Sequence, residues 1–141
     1  MEANMDEITK IINEVTEAIE KFEEMIENGE VINKIDLAGA YLRRSSMFIH
    51  SDLLKEGHVD ASKSINILEQ MAIEGKQVDV YMLSEAYLIR SITNAQMGNP
   101  DLAKPDIDRS IELMMLIKNS GAHIDEEEIK KPWIFMVKKL S

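Results

Sequence analysis

The apolar residues among the first thirty positions recur at the spacing of one broad helical stripe. Glutamate and lysine fill the opposite face, so the pattern predicts an amphipathic helix within residues 1–29. Asn28 and Gly29 end this helix, because both residues tolerate left-handed backbone geometry. The stripe is too broad for a two-stranded coiled coil, which favours packing within a globular array. Its members are Ile8, Ile11, Ile12, Val15, Ala18, Ile19, Phe22, Met25 and Ile26.

A first helix pair is predicted over residues 36–73. Its leading helix starts near Asp36, which can cap it, and stops at Gly57. Its second helix runs from about Val59 to Ile73.

A second helix pair is predicted over residues 79–119. Asp79 caps its first helix and Gly98 ends it, before a turn at Asn99 and Pro100. Pro105 is tolerated only in a first turn, so the regular second helix is expected to begin around residues 101–104.

A last helix is predicted over residues 125–140. Asp125 and Glu128 form a capping box, and Pro132 breaks or kinks the helix. The apolar cluster that follows either covers the end of the helical array or forms a self-association patch. This cluster is Trp133, Ile134 and Phe135. No segment shows alternating polarity between hairpin turns, so we expect no sheet.

One motif occurs twice with an offset of 46 residues. Leu37, Ala40, Tyr41, Leu42, Arg44 and Ser45 recur as Leu83, Ala86, Tyr87, Leu88, Arg90 and Ser91. Self-similarity at a fixed period is typical of repeat architectures. Stacked repeats usually form a curved surface that holds a partner.

The stretch from Ala86 to Leu113 resembles the tetratricopeptide repeat (TPR), a helix–turn–helix unit. The matching positions are Tyr87, Arg90, Ser91, Gly98, Ala103, Asp106, Ile107 and Ser110. The first pair matches less well, because the link between its helices is several residues longer than in the family. Its matching positions are Tyr41, Arg44, Ser45, Phe48, Ala61, Ile65 and Leu68. Ala18, Ala61 and Ala103 are spaced by 43 and 42 residues, whereas the family period is about 34.

The resemblance implies an all-α fold in which antiparallel helix pairs stack as a short TPR-like α-solenoid of about six helices. Residues 1–141 then form a single domain. The structural residues are Tyr41, Arg44, Ser45, Tyr87, Arg90, Ser91, Gly98, Ala103, Asp106 and Ile107. The first helix of each repeat lines the concave face in this family. That nominates Arg43, Ser46, His50, Glu85, Ile89, Ile92 and Gln96 as partner-binding residues.

The resemblance also suggests an ion pair between the helices of the second pair. Arg90 is expected to meet Asp106 there. In the same alignment Arg44 faces Ser64, so it lacks this partner and is freer to point into a groove.

The net charge of −10 is concentrated at one end of the chain. Residues 1–30 contain ten acidic residues and two lysines, a balance of −8, and the remainder carries −2. Nucleic-acid binding requires a positive face, and none is evident. The acidic helix is either a solvated face or a contact for a basic partner.

Little in the sequence indicates catalysis. There is no cysteine, no nucleophile elbow, no phosphate loop and no metalloprotease or di-iron motif, so we expect neither an enzyme nor a bound metal or cofactor. His50, Asp52, His58 and Asp60 cluster in sequence, either as polar residues near helix ends or as an acid–base or metal site. No run is long enough to span a membrane, and the acidic first residues differ from a signal peptide. We expect a cytoplasmic protein.

Two functions are consistent with these patterns. The first is a protein–protein interaction module, an adaptor or scaffold that binds a peptide or helix in its concave groove. The second is a structural protein that assembles from its own copies. Its acidic N-terminal end would meet a C-terminal end that is aromatic and basic, through Lys130, Lys131, Lys138 and Lys139.

Overall fold

The structure, a computed structural model, describes residues 5–120 and is entirely helical over that range. Its helices are α1 (Met5–Glu27), α2 (Lys34–His50), α3 (Leu54–Ile73), α4 (Val80–Gln96) and α5 (Pro100–Asn119). They belong to two compact units, the first with α1 to α3 and the second, which begins at Asp79, with α4 and α5. The helix predicted over 125–140, with Trp133, Ile134 and Phe135, lies outside the described residues.

The two helix pairs match each other residue for residue in length. α2 and α4 each contain 17 residues, α3 and α5 each contain 20, and three residues link the helices of each pair. Every boundary of the second pair lies 46 residues after its counterpart in the first. The repeat of 46 therefore covers both helices of each pair. The expected long link in the first pair is wrong.

Glycine 57 does not end a helix. α2 ends at His50, and Asp52 adopts a positive φ of 62° in the short turn that follows. Gly57 lies in the first turns of α3, which begins at Leu54 and not near Val59. At the other end of α2, Asn33 is the cap and accepts a hydrogen bond from the backbone N–H of Ile35. Asp36, the predicted cap, falls in the first turn.

Two local signals of the second unit are confirmed. The Oδ1 of Asp79 accepts a hydrogen bond from the backbone N–H of Met82 at 2.9 Å, so Asp79 caps α4. Gly98 has a φ of 83° in the turn after α4, a conformation that glycine adopts at little cost.

Pro105 lies one turn further into its helix than expected. α5 begins at Pro100, whose missing N–H is harmless at the first helical position. Pro105 therefore falls in the second turn, where its nitrogen cannot donate to the carbonyl of Asp101. The helix continues through it, and Pro105 is exposed to solvent.

Gly57 marks a close crossing between α2 and α3. A Cβ atom at this position would lie 3.0 Å from Cγ1 of Ile49 and 3.2 Å from the carbonyl oxygen of Ser45. The Ser45 hydroxyl donates to the carbonyl oxygen of Gly57 at 2.6 Å. The position equivalent to Gly57 in α5 is Ala103, which is fully buried. Only a small residue fits here, so the family alignment that paired Ala61 with Ala103 is displaced by one helical turn.

α1 docks on α2 through an apolar cluster. Val15 and Ile19 of α1 pack with Leu37 and Tyr41 of α2, and all four are buried. Partly buried neighbours of this cluster are Ile11, Phe22, Ile32, Ala40 and Ile67. The predicted stripe of α1 is thus the surface that joins it to the first helix pair.

We predict that Gly57→Leu destabilises the protein by about 1–3 kcal/mol or more, because the new side chain must displace Ile49 or the backbone of Ser45. Lys55→Leu is the control, since Lys55 is an exposed residue of the same helix turn. Urea unfolding followed by circular dichroism measures both variants. Equal stability of Gly57→Leu and Lys55→Leu would show that α2 and α3 do not cross this closely.

Candidate functional site

Arg44 and Asp60 form a two-pronged ion pair between α2 and α3. Arg44 Nε donates to Asp60 Oδ2 at 2.7 Å, and Nη2 donates to Oδ1 at 2.8 Å. The two side chains are 16% and 3% exposed. The expectation that Arg44 lacks such a partner is wrong. α3 begins about one turn earlier than predicted, which sets Asp60, and not Ser64, opposite the guanidinium group.

The predicted pair between Arg90 and Asp106 is confirmed. Arg90 Nε donates to Asp106 Oδ2 and Nη2 donates to Oδ1, both at 2.8 Å. Asp60 and Asp106 are themselves 46 residues apart, a signal that the family alignment concealed. Each helix pair is therefore closed by the same pair of charges at the same positions.

The residues around the two ion pairs differ. In the first unit, Arg44 Nη1 also donates to Thr16 Oγ1 of α1 at 3.2 Å, and the guanidinium lies 5.5 Å from the centre of the Phe48 ring. In the second unit, Asn94 replaces Phe48 and its Nδ2 donates to Asp106 Oδ2 at 3.4 Å. The ion pair and the tyrosine ring near its guanidinium group, Tyr41 or Tyr87, are thus common to both repeats, while these other neighbours differ.

Two buried serines repeat another contact between the helices of each pair. Ser64 Oγ donates to the carbonyl oxygen of Ala38 at 2.9 Å, and Ser110 Oγ donates to that of Ser84 at 2.8 Å. The donors are 46 residues apart, and so are the acceptors. Sequence reasoning did not assign this role to Ser64.

Tyr41 connects α2 to α1 by a polar contact at the edge of the apolar cluster. Its hydroxyl donates to the Glu23 carboxylate, and its ring lies 5.3 Å from Lys63 Nζ and 5.6 Å from the Arg44 guanidinium carbon. Burial, followed by the hydrogen bond and charge of Glu23, raises the pKa of the Tyr41 hydroxyl well above its usual value. The tyrosine is held in its neutral form.

Arg43 is exposed and lines a groove between α1 and α2. The groove has a volume of about 340 Å³. Its floor consists of the small residues Ala18, Gly39 and Ala40 together with Val15, and Glu14, Asp36 and Arg43 supply its charges. The arrangement offers a shallow surface of small side chains that a second backbone can approach closely.

The other predicted partner-binding residues divide between the two units. In the first unit Ser46 is half-buried and His50 is exposed, and the ring Nδ1–H of His50 donates to the Ser46 carbonyl oxygen at 2.8 Å. The second unit carries its four on α4. There, Glu85 and Gln96 are exposed, and Ile89 and Ile92 are half-buried. Although the Glu85 residue is exposed overall, partial desolvation of its carboxyl group raises the pKa of that group.

A second depression in the first unit was not foreseen. Two adjoining cavities of about 370 and 410 Å³ share Ile26, Lys34 and Met71 as lining residues. They lie where the ends of α1 and α3 meet the start of α2. No local pattern in the sequence indicates such a cavity, because its walls come from three helices.

The candidate polar cluster near the α2–α3 turn does not form a metal site. Over residues 5–120, no group of three histidine or acidic side chains is placed to hold a metal ion. Within this cluster, Asp60 forms the ion pair with Arg44. None of the helices described has the length and hydropathy needed to cross a membrane.

Comparisons with known protein families, with curated proteins and with solved structures found no match to this chain.

We predict that Arg44→Met lowers the free energy of unfolding by about 2–4 kcal/mol, because Asp60 is left as an uncompensated buried charge. Arg43→Met is the matched control, because Arg43 is the residue next to Arg44 and its side chain is exposed. The double variant Arg44→Met/Asp60→Leu should recover much of the loss, because no unpaired charge then remains. Denaturant unfolding of all three variants tests this. A double variant as unstable as Arg44→Met would contradict the explanation.

The raised pKa of Tyr41 makes part of the stability sensitive to alkali. Below the unfolded-state pKa of about 10, both states carry a neutral hydroxyl; above it, only the unfolded state ionises readily and stability falls. Tyr41→Phe should therefore lose less stability than the parent as the pH rises above about 10. Urea unfolding at a series of pH values measures this, with the exposed Tyr81→Phe as control. Parallel declines for Tyr41→Phe and the parent would refute it.

Proposed function

We propose that this chain is a protein-interaction module built from TPR-like helix pairs, and that the groove between α1 and α2 receives a helical segment of a partner protein. The observation that carries this proposal is the small-residue floor of the groove beside Arg43. Small side chains let a partner helix approach, and apolar contact along one face is how grooves of this kind usually bind helices.

Neighbouring residues of α2 have different roles, which supports the proposal that this groove binds a partner. Tyr41, Arg44 and Ser45 face the helix partners of α2 and are used by the scaffold. Arg43, one position away from Arg44, is exposed and lines the groove. The proposed binding surface therefore adjoins the structural contacts of the same helix.

Charge suggests the chemistry of the partner. Two of the three charged residues in the groove are Glu14 and Asp36, and residues 1–30 carry a balance of −8. A segment with apolar residues on one face and basic residues beside them would complement this surface. An acidic position in the segment would pair with Arg43 and fix its direction along the groove.

Two groove variants test the proposal. Ala18→Trp fills the floor, and Arg43→Glu reverses the charge beside it. Because both residues are exposed, neither substitution is expected to disturb the core. We expect each to reduce partner retention from native lysate by at least about tenfold, consistent with a central interface residue. The measurement is affinity capture with quantitative mass spectrometry.

The controls are Ala72→Trp, the same substitution as in the groove, and Lys55→Glu, an equal reversal of charge, both at exposed positions of α3. A partner that the parent and both controls retain, and both groove variants lose, would support the module. Equal capture by all five proteins would reject this groove. Recovery of the chain alone would favour the second function, self-assembly through its ends.

A further inference from the structure

The 46-residue repeat continues in the sequence beyond the described helices. Each of four positions that define the link and the first helix of a repeat occurs three times at this spacing. They are Gly29, Gly75 and Gly121; Asn33, Asp79 and Asp125; Leu37, Leu83 and Ile129; and Tyr41, Tyr87 and Trp133.

Two of these positions have the same structural role in their first two copies. Gly29 and Gly75 both have a φ of 76° directly after a helix. Asn33 and Asp79 both accept a backbone N–H and cap the next helix. Leu37 and Tyr41 supply half of the cluster that joins α2 to α1. A third copy of all four positions is a sign of a third link and a third first helix.

α5 occupies the place in the repeat that α1 occupies before α2. α1, α3 and α5 end at residues 27, 73 and 119, each 46 residues after the one before. The residues of α1 that hold Tyr41 are Ile19 and Glu23, and their equivalents 92 residues later are Ile111 and Met115. Ile111 is half-buried and Met115 is 40% exposed.

We propose that residues 125–140 dock on this face of α5 as a helix, in the way that α2 docks on α1, with Trp133 against Ile111 and Met115. The occupant of the exposed face is thus a segment of the same chain. The proposal concerns the second unit alone and is independent of the groove in the first.

A paired change of residues supports this choice of occupant. In the first interface the Tyr41 hydroxyl donates to the Glu23 carboxylate. At the equivalent positions of the third copy Trp133 replaces the tyrosine and Met115 replaces the glutamate, so the hydroxyl and the carboxylate are both absent. Changing both partners together removes the hydroxyl and the carboxylate at once, so that neither is buried without the other. Sulfur against an aromatic ring is also a favourable contact.

The only tryptophan of the chain, Trp133, reports on the docking directly. We expect its fluorescence in the intact protein to be shifted to the blue of that in denaturant and to be shielded from iodide, independently of protein concentration. Met115→Glu should shift the emission to the red and increase quenching at least twofold. Leu102→Glu, at an exposed apolar position of α5 whose equivalent in α1 is Lys10, should change neither.

A second experiment separates docking from a general loss of structure. Met115→Glu should destabilise the second unit, and adding Trp133→Tyr should restore stability by rebuilding the tyrosine–glutamate contact of the first interface. The double variant should therefore be more stable than Met115→Glu alone. If Trp133→Tyr fails to rescue Met115→Glu, the proposed contact is wrong.

Cross-linking identifies the occupant. The chain has no cysteine, so Met115→Cys/Trp133→Cys introduces a single pair. At high dilution we expect a short thiol-reactive cross-linker to join the two cysteines within one chain, since it spans the gap that the tyrosine and glutamate side chains bridge in the first interface. It should not join the cysteines of Leu102→Cys/Trp133→Cys. Fully exposed Trp133 fluorescence in the parent, or cross-links formed only between chains, would overturn the proposal.

Discussion

The arginine–aspartate pair between the two helices of each repeat is the interaction on which the packing of that repeat depends. A guanidinium group and a carboxylate can be held nearly out of solvent only if two parallel hydrogen bonds form between them, and those bonds fix both the distance and the register of the helices. Arg44 and Asp60 meet this condition because Gly57, one helical turn from the aspartate, lets α3 approach α2. Gly57 thus allows the two helices to approach, and the ion pair between Arg44 and Asp60 fixes how they align.

The two repeats show which features of this arrangement are general. The ion pair, the small residue at the crossing and the serine bond to the facing carbonyl recur at an offset of 46 residues. A tyrosine ring near the guanidinium group recurs too, but other neighbours differ: Phe48 lies near one guanidinium group, whereas Asn94 donates to the other carboxylate. The equivalent positions Arg43, which is exposed, and Ile89, which is half-buried, differ as well. The common residues therefore hold the helices together, and the variable ones distinguish the surfaces.

Local signals in the sequence predicted much of this fold. The stripe of α1, the cap at Asp79 and the turn at Gly98 each depend on a few neighbouring residues, and a periodic pattern reveals them directly. Gly57 was misassigned because glycine usually marks freedom of the backbone, whereas here it provides space for a helix that is distant in sequence. The spacing of the TPR family places Ser64 opposite Arg44, whereas the chain's own period of 46 residues relates Asp60 to Asp106 and identifies the correct partner.

The candidate groove could be predicted only in part. Arg43 was nominated from its place on the first helix of a repeat, but Glu14 and Ala18 belong to α1 and join the groove only through tertiary packing. No periodicity within either helix encodes the space between them. The 46-residue repeat predicts contacts better than any single motif, because residues 46 positions apart occupy equivalent places in the two helix pairs.

The sequence separation of the ion pairs has a consequence for how the chain folds. In both repeats the arginine and aspartate are 16 residues apart, so closing the contact requires only a short loop of chain. Domains dominated by such local contacts reach the native state quickly. Each helix pair can consequently close soon after its last turn leaves the ribosome, before synthesis of the next pair is complete.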